Sequence, residues 1–237
     1  MSADAAGRWV EDWLSPPRFA IYLNAADHDR RTALELYEWN TAVSAAFQHD
    51  LAHLEVGLRN AYDRALTAAI PEGHPHWVFE PQLFFPPRSQ RAANGEYYDV
   101  NKTTRNKINE AIRAAASPGP GRRPLTTGEQ PPPGKVIAEL NFGFWRYLSA
   151  KRHDEHLWVP HLHKAFRPGT SRRAVDQPVK RLHTLRNRVA HHEPLLTTDL
   201  EQACQDVLTV AGLISEELCA HIRAHSTCTT LIGQRPC

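Results

Sequence analysis

The chain has 237 residues, 41% of them hydrophobic and 23% charged, the composition of an ordinary globular protein long enough to bury a substantial core. Its formal charge of +2 is too small to argue, by itself, for a surface that binds a polyanion. With no apolar run of about eighteen residues, and no apolar segment in the opening MSADAAGRWVEDW, a cytoplasmic protein without a membrane partner is expected.

Residues 1–27 read as a short helical extension, with Ser15 capping a helix that starts at Pro16-Pro17 and runs to about Leu23. From about Asp29 to Ala69 there is no proline and a single glycine, which predicts a long spine helix. Phe47, Leu51, Leu54, Leu58, Tyr62 and Ala65 form its inward stripe. Glu55 falls in the same stripe and needs a cationic partner, either Arg59 four residues on or Arg186 from another helix. Residues 71–101 read as an irregular, proline- and aromatic-rich connection with a turn at Asn94-Gly95. Lys102–Ala116 reads as a helix, and 117–134 as a flexible Pro/Gly-rich loop carrying Arg122-Arg123. Lys135–Ala150 resumes as one helix whose Phe142, Phe144, Trp145 and Tyr147 are core residues, followed by a short helix or turn over Leu157–Phe166.

In the stretch VKRLHTLRNRVAHHE, residues 179–193, helical spacing of about 100° per residue places Val179, Leu182, Leu185 and Val189 on one face. Arg186 lies within that arc, and a guanidinium turned inward needs a carboxylate, a phosphate or several carbonyls. Pro194 disfavours helix at Glu193, which sets His191 and His192 at the helix end. Arg and His are also common at helix C-termini simply as solvated residues. Beyond the motif, Thr198-x-x-Glu201 has the capping-box pattern that opens a last long helix. Its stripe runs through Leu200, Cys204, Val207, Ala211, Ile214, Leu218 and Ile222, and a tail occupies 226–237. The four cysteines lack CxxC spacing and read as free thiols, Cys204 in the core and Cys228 and Cys237 in the tail. The fold class is all-α, and no strand pattern competes.

The segment Leu185-Arg186-Asn187-Arg188-Val189-Ala190-His191-His192-Glu193-Pro194 resembles the active-site motif of the HEPN superfamily, an Arg and a polar residue with a His four to six positions after the Arg. More narrowly the chain resembles the Abi-like abortive-infection proteins of the AbiD/AbiF type. The blocks that carry this likeness are Ala33–Asn40, Leu54–Asn60 and Asn141–Trp145, in family order across roughly residues 15–220. The resemblance implies a single HEPN-type helical bundle over 1–237 that acts as a homodimer, because the family's site forms between two facing motifs. It implies an endoribonuclease, in which Arg186 would clamp phosphate, His191 or His192 would serve as acid or base and Asn187 would orient the phosphate or the imidazole; the inward positions of Glu55 and Arg186 separately suggest that Glu55 holds Arg186, directly or through Asn187. It also implies a role as toxin or effector in phage defence, some relatives being held in check by a small antitoxic RNA or a protein antitoxin. Both histidines satisfy the motif spacing.

Lys180, Arg181, Arg188, Arg172 and Arg173 flank the motif and read as an RNA-binding face, although solubilising residues look the same. The chemistry requires no cofactor or metal, because the 2′-hydroxyl of RNA is its own nucleophile. Two rival readings remain: a catalytically inactive HEPN-like dimer that binds RNA or protein, and a zinc hydrolase built on His153, His156, His161 and His163 beside Asp154 and Glu155.

Overall fold

The computed structural model describes residues 7–117, 125–126 and 128–237, so Arg122-Arg123 lies outside the described residues. The fold is all-α, as the periodicity predicts, and among the described residues the only sheet is one two-stranded hairpin. No described helix is long and apolar enough to cross a membrane. The chain divides into two compact units. One consists of the segment ending at Leu54, Pro178–Gly212 and Glu216–Cys237, the other of Glu55–Gln177 and Leu213–Ser215. Both main divisions fall inside helices whose apolar stripes continue without a break, so helical periodicity carries no mark of them.

In the first unit, α1 (Trp9–Leu14) and α2 (Pro16–Ala25) lead into α3 (Arg30–Thr67). Val10, Leu14, Phe19, Tyr22, Ala33 and Leu36 form one buried cluster, so the described part of the N-terminal extension contributes to the core. Arg30 fastens it further through an ion pair to Glu11 at 2.6 Å. Ser15 does not cap α2: it takes φ 68 and makes no side-chain capping bond, which leaves the helix start to the prolines at its first positions. The α3 residues Phe47, Leu51 and Leu54 are buried as predicted.

The motif helix is α7 (Arg172–Ala190), which begins seven residues before Val179 because Pro178 is accommodated inside it. Asp199, not Thr198, caps α8 (Leu200–Ile214), its Oδ1 accepting from Gln202 N at 2.9 Å. The carboxylate reaches the third helical N–H, and Thr198 is instead occupied by Arg188 at 2.6 Å. The expected single last helix stops at Ser215 and resumes as α9 (Glu216–His225). The expected tail is folded: α10 (Cys228–Ile232) buries Cys228, and Leu231 O accepts from Trp39 Nε1 at 2.7 Å. Buried Asp50 anchors it, accepting from Ser226 Oγ at 2.5 Å and Cys228 Sγ at 3.3 Å.

One ion pair in this unit carries a stability prediction. Asp206 is buried and receives both Arg181 Nε and Nη2, at 2.6 and 2.7 Å, while Arg181 stays half exposed. Deleting Arg181 strands a buried carboxylate with only Gln202 left to donate, whereas deleting Asp206 lets the guanidinium return to water. Urea unfolding should show Arg181→Ala losing about 2 kcal/mol and Asp206→Asn losing less, the reverse of what exposure alone suggests.

The second unit takes its core from the C-terminal part of α3, where Leu58, Ala61, Tyr62, Ala65 and Leu66 are buried. Trp145 is fully buried, with Phe144 at 4.9 Å, Trp77 at 6.4 Å and Tyr62 at 6.5 Å between ring centroids. The helix predicted over Lys135–Ala150 is two, α5 (Pro133–Glu139) and α6 (Phe142–Leu148), because Asn141 turns extended and caps α6 through Phe144 N. Three of its four aromatics are core as expected; Tyr147 is exposed. Lys102–Ala116 is α4, as predicted. Within the irregular connection lies a hairpin, β1 (Ser89–Arg91) and β2 (Tyr97–Asp99), turned at Gly95 with φ 88. Strands of three residues are too short to show alternation, and only the Asn94-Gly95 turn signal survives in the sequence.

Candidate functional site

The end of α7 is built by its backbone. His192 N–H donates to Val189 O at 3.1 Å and Glu193 N–H to Arg188 O at 2.8 Å, while His192 adopts φ 54. This pair of bonds around a left-handed residue is a Schellman cap, completed by Pro194 just beyond it. The position ordinarily takes glycine, whose lack of Cβ removes the strain. His192→Gly is therefore expected to raise stability by about 0.5–1 kcal/mol, read from the shift in thermal or urea midpoint.

The cap separates the two histidines. His191 ends the helix, exposed, with its N–H on Asn187 O at 3.0 Å, so Asn187 and His191 are neighbours one turn apart on one face. His192 leaves that face. Its backbone oxygen accepts from Arg18, and it borders a groove of about 740 Å³. The groove is lined mainly by Trp13, Arg18, Tyr37, Asn40, Ser44 and Gln48, with Val189 and Ala190 from α7. It therefore offers aromatic faces, amides, a hydroxyl and a guanidinium beside the motif. Buried Asn40 holds the loop after the cap, its Oδ1 accepting from Leu195 N at 2.6 Å. Ser44 Oγ is buried without a hydrogen-bond partner. Sequence alone gives Trp13, Arg18, Ser44 and Gln48 no functional place, whereas Tyr37 and Asn40 fall in the Ala33–Asn40 block that carries the family likeness.

Arg186 is half-buried on α7, between the buried Leu185 and the half-buried Asn187. It makes no hydrogen bond or ion pair with a described residue of its own unit. Glu55 is half-buried on the part of α3 that belongs to the second unit, as does Arg59, whose Nε is buried without a hydrogen bond.

The expected RNA-binding residues divide sharply. Arg188 is spent on the loop that follows the helix, reaching Thr198 Oγ1, the Pro194 carbonyl and Glu193 at 3.4 Å. Arg181 is the partner of Asp206. Arg172, in the second unit, donates to Ser149 O at 2.8 Å and faces Asp154 and Asp176 at 3.4 and 3.5 Å. These three side chains are engaged in contacts of the fold. Lys180 and Arg173 are exposed and their side chains remain available.

The histidines of the rival zinc reading scatter within the second unit. His153 Nδ1 meets His156 Nε2 at 3.0 Å, but His161 packs edge-on against Phe84 and His163 turns to Trp158 O. Among the described residues no three His, Cys, Asp or Glu side chains are grouped to hold a metal ion. No family model, curated protein or solved structure matches the chain.

Proposed function

We propose that this chain is an endoribonuclease of the HEPN type, an Abi-like effector that works as a homodimer without a metal. The observation that supports it best is the end of α7, where Asn187 and His191 share a face one turn apart and Arg186 is left without an ion pair in its unit. Cleavage requires a base for the 2′-hydroxyl, positive charge for the phosphorane and an acid for the leaving 5′-oxygen. Arg186 supplies the charge and His191 the proton transfer, with Asn187 orienting the imidazole. A single imidazole does not serve both ends of the bond at once, so the second is drawn from the facing copy. Attack by the 2′-oxygen on phosphorus expels the 5′-oxygen and leaves a 2′,3′-cyclic phosphate. His192 is assigned to the cap and the groove wall, so His192→Gly should retain cleavage.

The resemblance to Abi-like proteins extends this proposal to a toxin or effector of phage defence, neutralised by an antitoxic RNA or protein. Other toxins of the HEPN superfamily carry a tyrosine two residues after the motif histidine, where an antitoxin modifies them; Glu193 or Pro194 at that position here speaks against that form of neutralisation.

Incubation with total RNA in EDTA tests the reading. Cleavage by the wild type, cyclic phosphate ends, and loss of both in Arg186→Ala plus His191→Ala are expected. Binding without cleavage would replace the nuclease with the second reading, an inactive HEPN-like dimer that holds RNA.

A further inference from the structure

The second unit carries a separate polar pocket of about 440 Å³, bordered by Arg88, Lys151, Arg152, His153, His156 and Asn101. Four of these side chains form a chain of nitrogen contacts. Arg152 Nε lies 3.1 Å from His153 Nε2, His153 Nδ1 lies 3.0 Å from His156 Nε2, and His156 Nδ1 lies 3.3 Å from Arg88 Nη1. Each contact accommodates one proton. Each arginine brings one that it does not release, and each neutral imidazole brings one more. Four protons therefore face three contacts, whichever tautomers are chosen, so one N–H points at another N–H. Protonating either imidazole makes the excess worse. The chain lacks an acceptor, and nothing within it can supply one.

The surroundings fit an anion as that acceptor. Arg88, Lys151 and Arg152 are fixed cations, and Lys151 is exposed. Of the two bordering carboxylates, Asp154 already faces Arg172 at 3.4 Å, which leaves Glu155. Asn101 is wholly buried at the pocket wall and its Oδ1 has no hydrogen-bond partner, so the wall also offers an acceptor to a ligand hydroxyl or amine. Gln90 borders the pocket and pairs in register with Tyr98, which places that half-exposed ring on the pocket side of the hairpin. Two arginines at opposite ends of the imidazole pair, with an aromatic ring on the same hairpin, suit a phosphate with a base or sugar attached.

We propose that this pocket binds a phosphate group, with Arg88 and Lys151 as its principal donors and the imidazole pair behind them. Phosphate offers several acceptor oxygens on one centre, enough to take Arg88 from His156 and so remove the opposed N–H groups. The assignment is independent of the motif chemistry, because it lies in the other unit and is read by binding rather than cleavage.

Imidazole nitrogen spectra of the intact protein at neutral pH and constant ionic strength provide the test, with inorganic phosphate, 5′-AMP and a short unphosphorylated RNA as separate titrants. His153 and His156 should shift on addition of at least one of the three, and the tightest titrant names the source of the phosphate. Arg88→Ala plus Lys151→Ala should weaken that binding about tenfold or more with circular dichroism unchanged. Lys151→Ala alone, which removes no contact of the fold, should weaken it in the same direction. Absence of any shift, unaltered affinity in the variants, or an equal response to acetate would overturn the proposal.

Discussion

Arg186→Ala should lower RNA cleavage about a hundred- to a thousandfold while the protein stays folded. Both halves of this expectation come from the setting of Arg186. Its guanidinium is half-buried with no carboxylate of its own unit bound to it, so alanine strands no buried charge there and fits the helix well. The loss therefore falls on the phosphorane, whose charge develops only in the transition state. Arg186→Lys should recover a small part, because a point charge does not reproduce the planar fork that grips two phosphate oxygens. His191→Ala should cost about a hundred- to ten-thousandfold. If the two act as one unit, the double variant is no worse than the poorer single one. Loss of kcat with KM nearly unchanged is the expected signature, and equal loss in a variant that no longer dimerises would be consistent with the second copy completing the site.

The features legible in the sequence are those that repeat at helical spacing. Val179, Leu182, Leu185 and Val189 are buried as their spacing requires, and the spine predicted from about Asp29 to Ala69 is a helix over Arg30–Thr67. What escaped is pairing across distance. Arg181 and Asp206 are 25 residues apart, and Arg172 meets Ser149 from 23 residues away. Charge can be counted in one sequence, but whether a cation is free or committed depends on which carboxylate or carbonyl the fold brings beside it. A run such as Arg186-Asn187-Arg188 thus contains one arginine without an ion pair in its unit and one that clasps its own loop. Short elements are hidden for a different reason: Asn141 and Ser215 break helices within a single residue, and a three-residue strand is too short to repeat its alternation.

The two histidines show how a local bond decides between residues that spacing leaves equal. Both follow Arg186 within the permitted interval, yet the hydrogen bond from Glu193 N–H to Arg188 O forces His192 into the left-handed region. His191 remains in phase with Asn187. Cleavage lost in His191→Ala and retained in His192→Gly would confirm that separation, whereas the reverse result would move the proton-transfer role to the groove.

Acid should destabilise the protein well before its carboxylates titrate, and His153 is the main cause. Burial pushes this imidazole down to about 3, with Arg152, His156 and Arg88 adding repulsion. In the unfolded chain it titrates near its ordinary value of about 6.5. Between those two values the unfolded state binds a proton that the folded state refuses, so stability rises with pH across the window and falls as pH drops through it. Each unit below about 6.5 costs about 1.4 kcal/mol, which reaches about 3 kcal/mol near pH 4.5. That is a large share of the usual 5–15 kcal/mol for a domain. Burial also lowers His53, His156 and His161, which act in the same direction, so the slope is not owed to His153 alone. His153→Gln keeps a donor and an acceptor for its neighbours but has no proton to gain. Urea unfolding at pH 7.5, 5.5 and 4.5 should show the wild type losing stability steeply while this variant loses about half as much or less. A variant whose stability falls in parallel with the wild type would show that His153 already takes up its proton in the fold. A phosphate bound by Arg88 would draw one cation away from the imidazole pair. The same series in phosphate should then show a shallower acid slope for the wild type than in acetate at equal ionic strength.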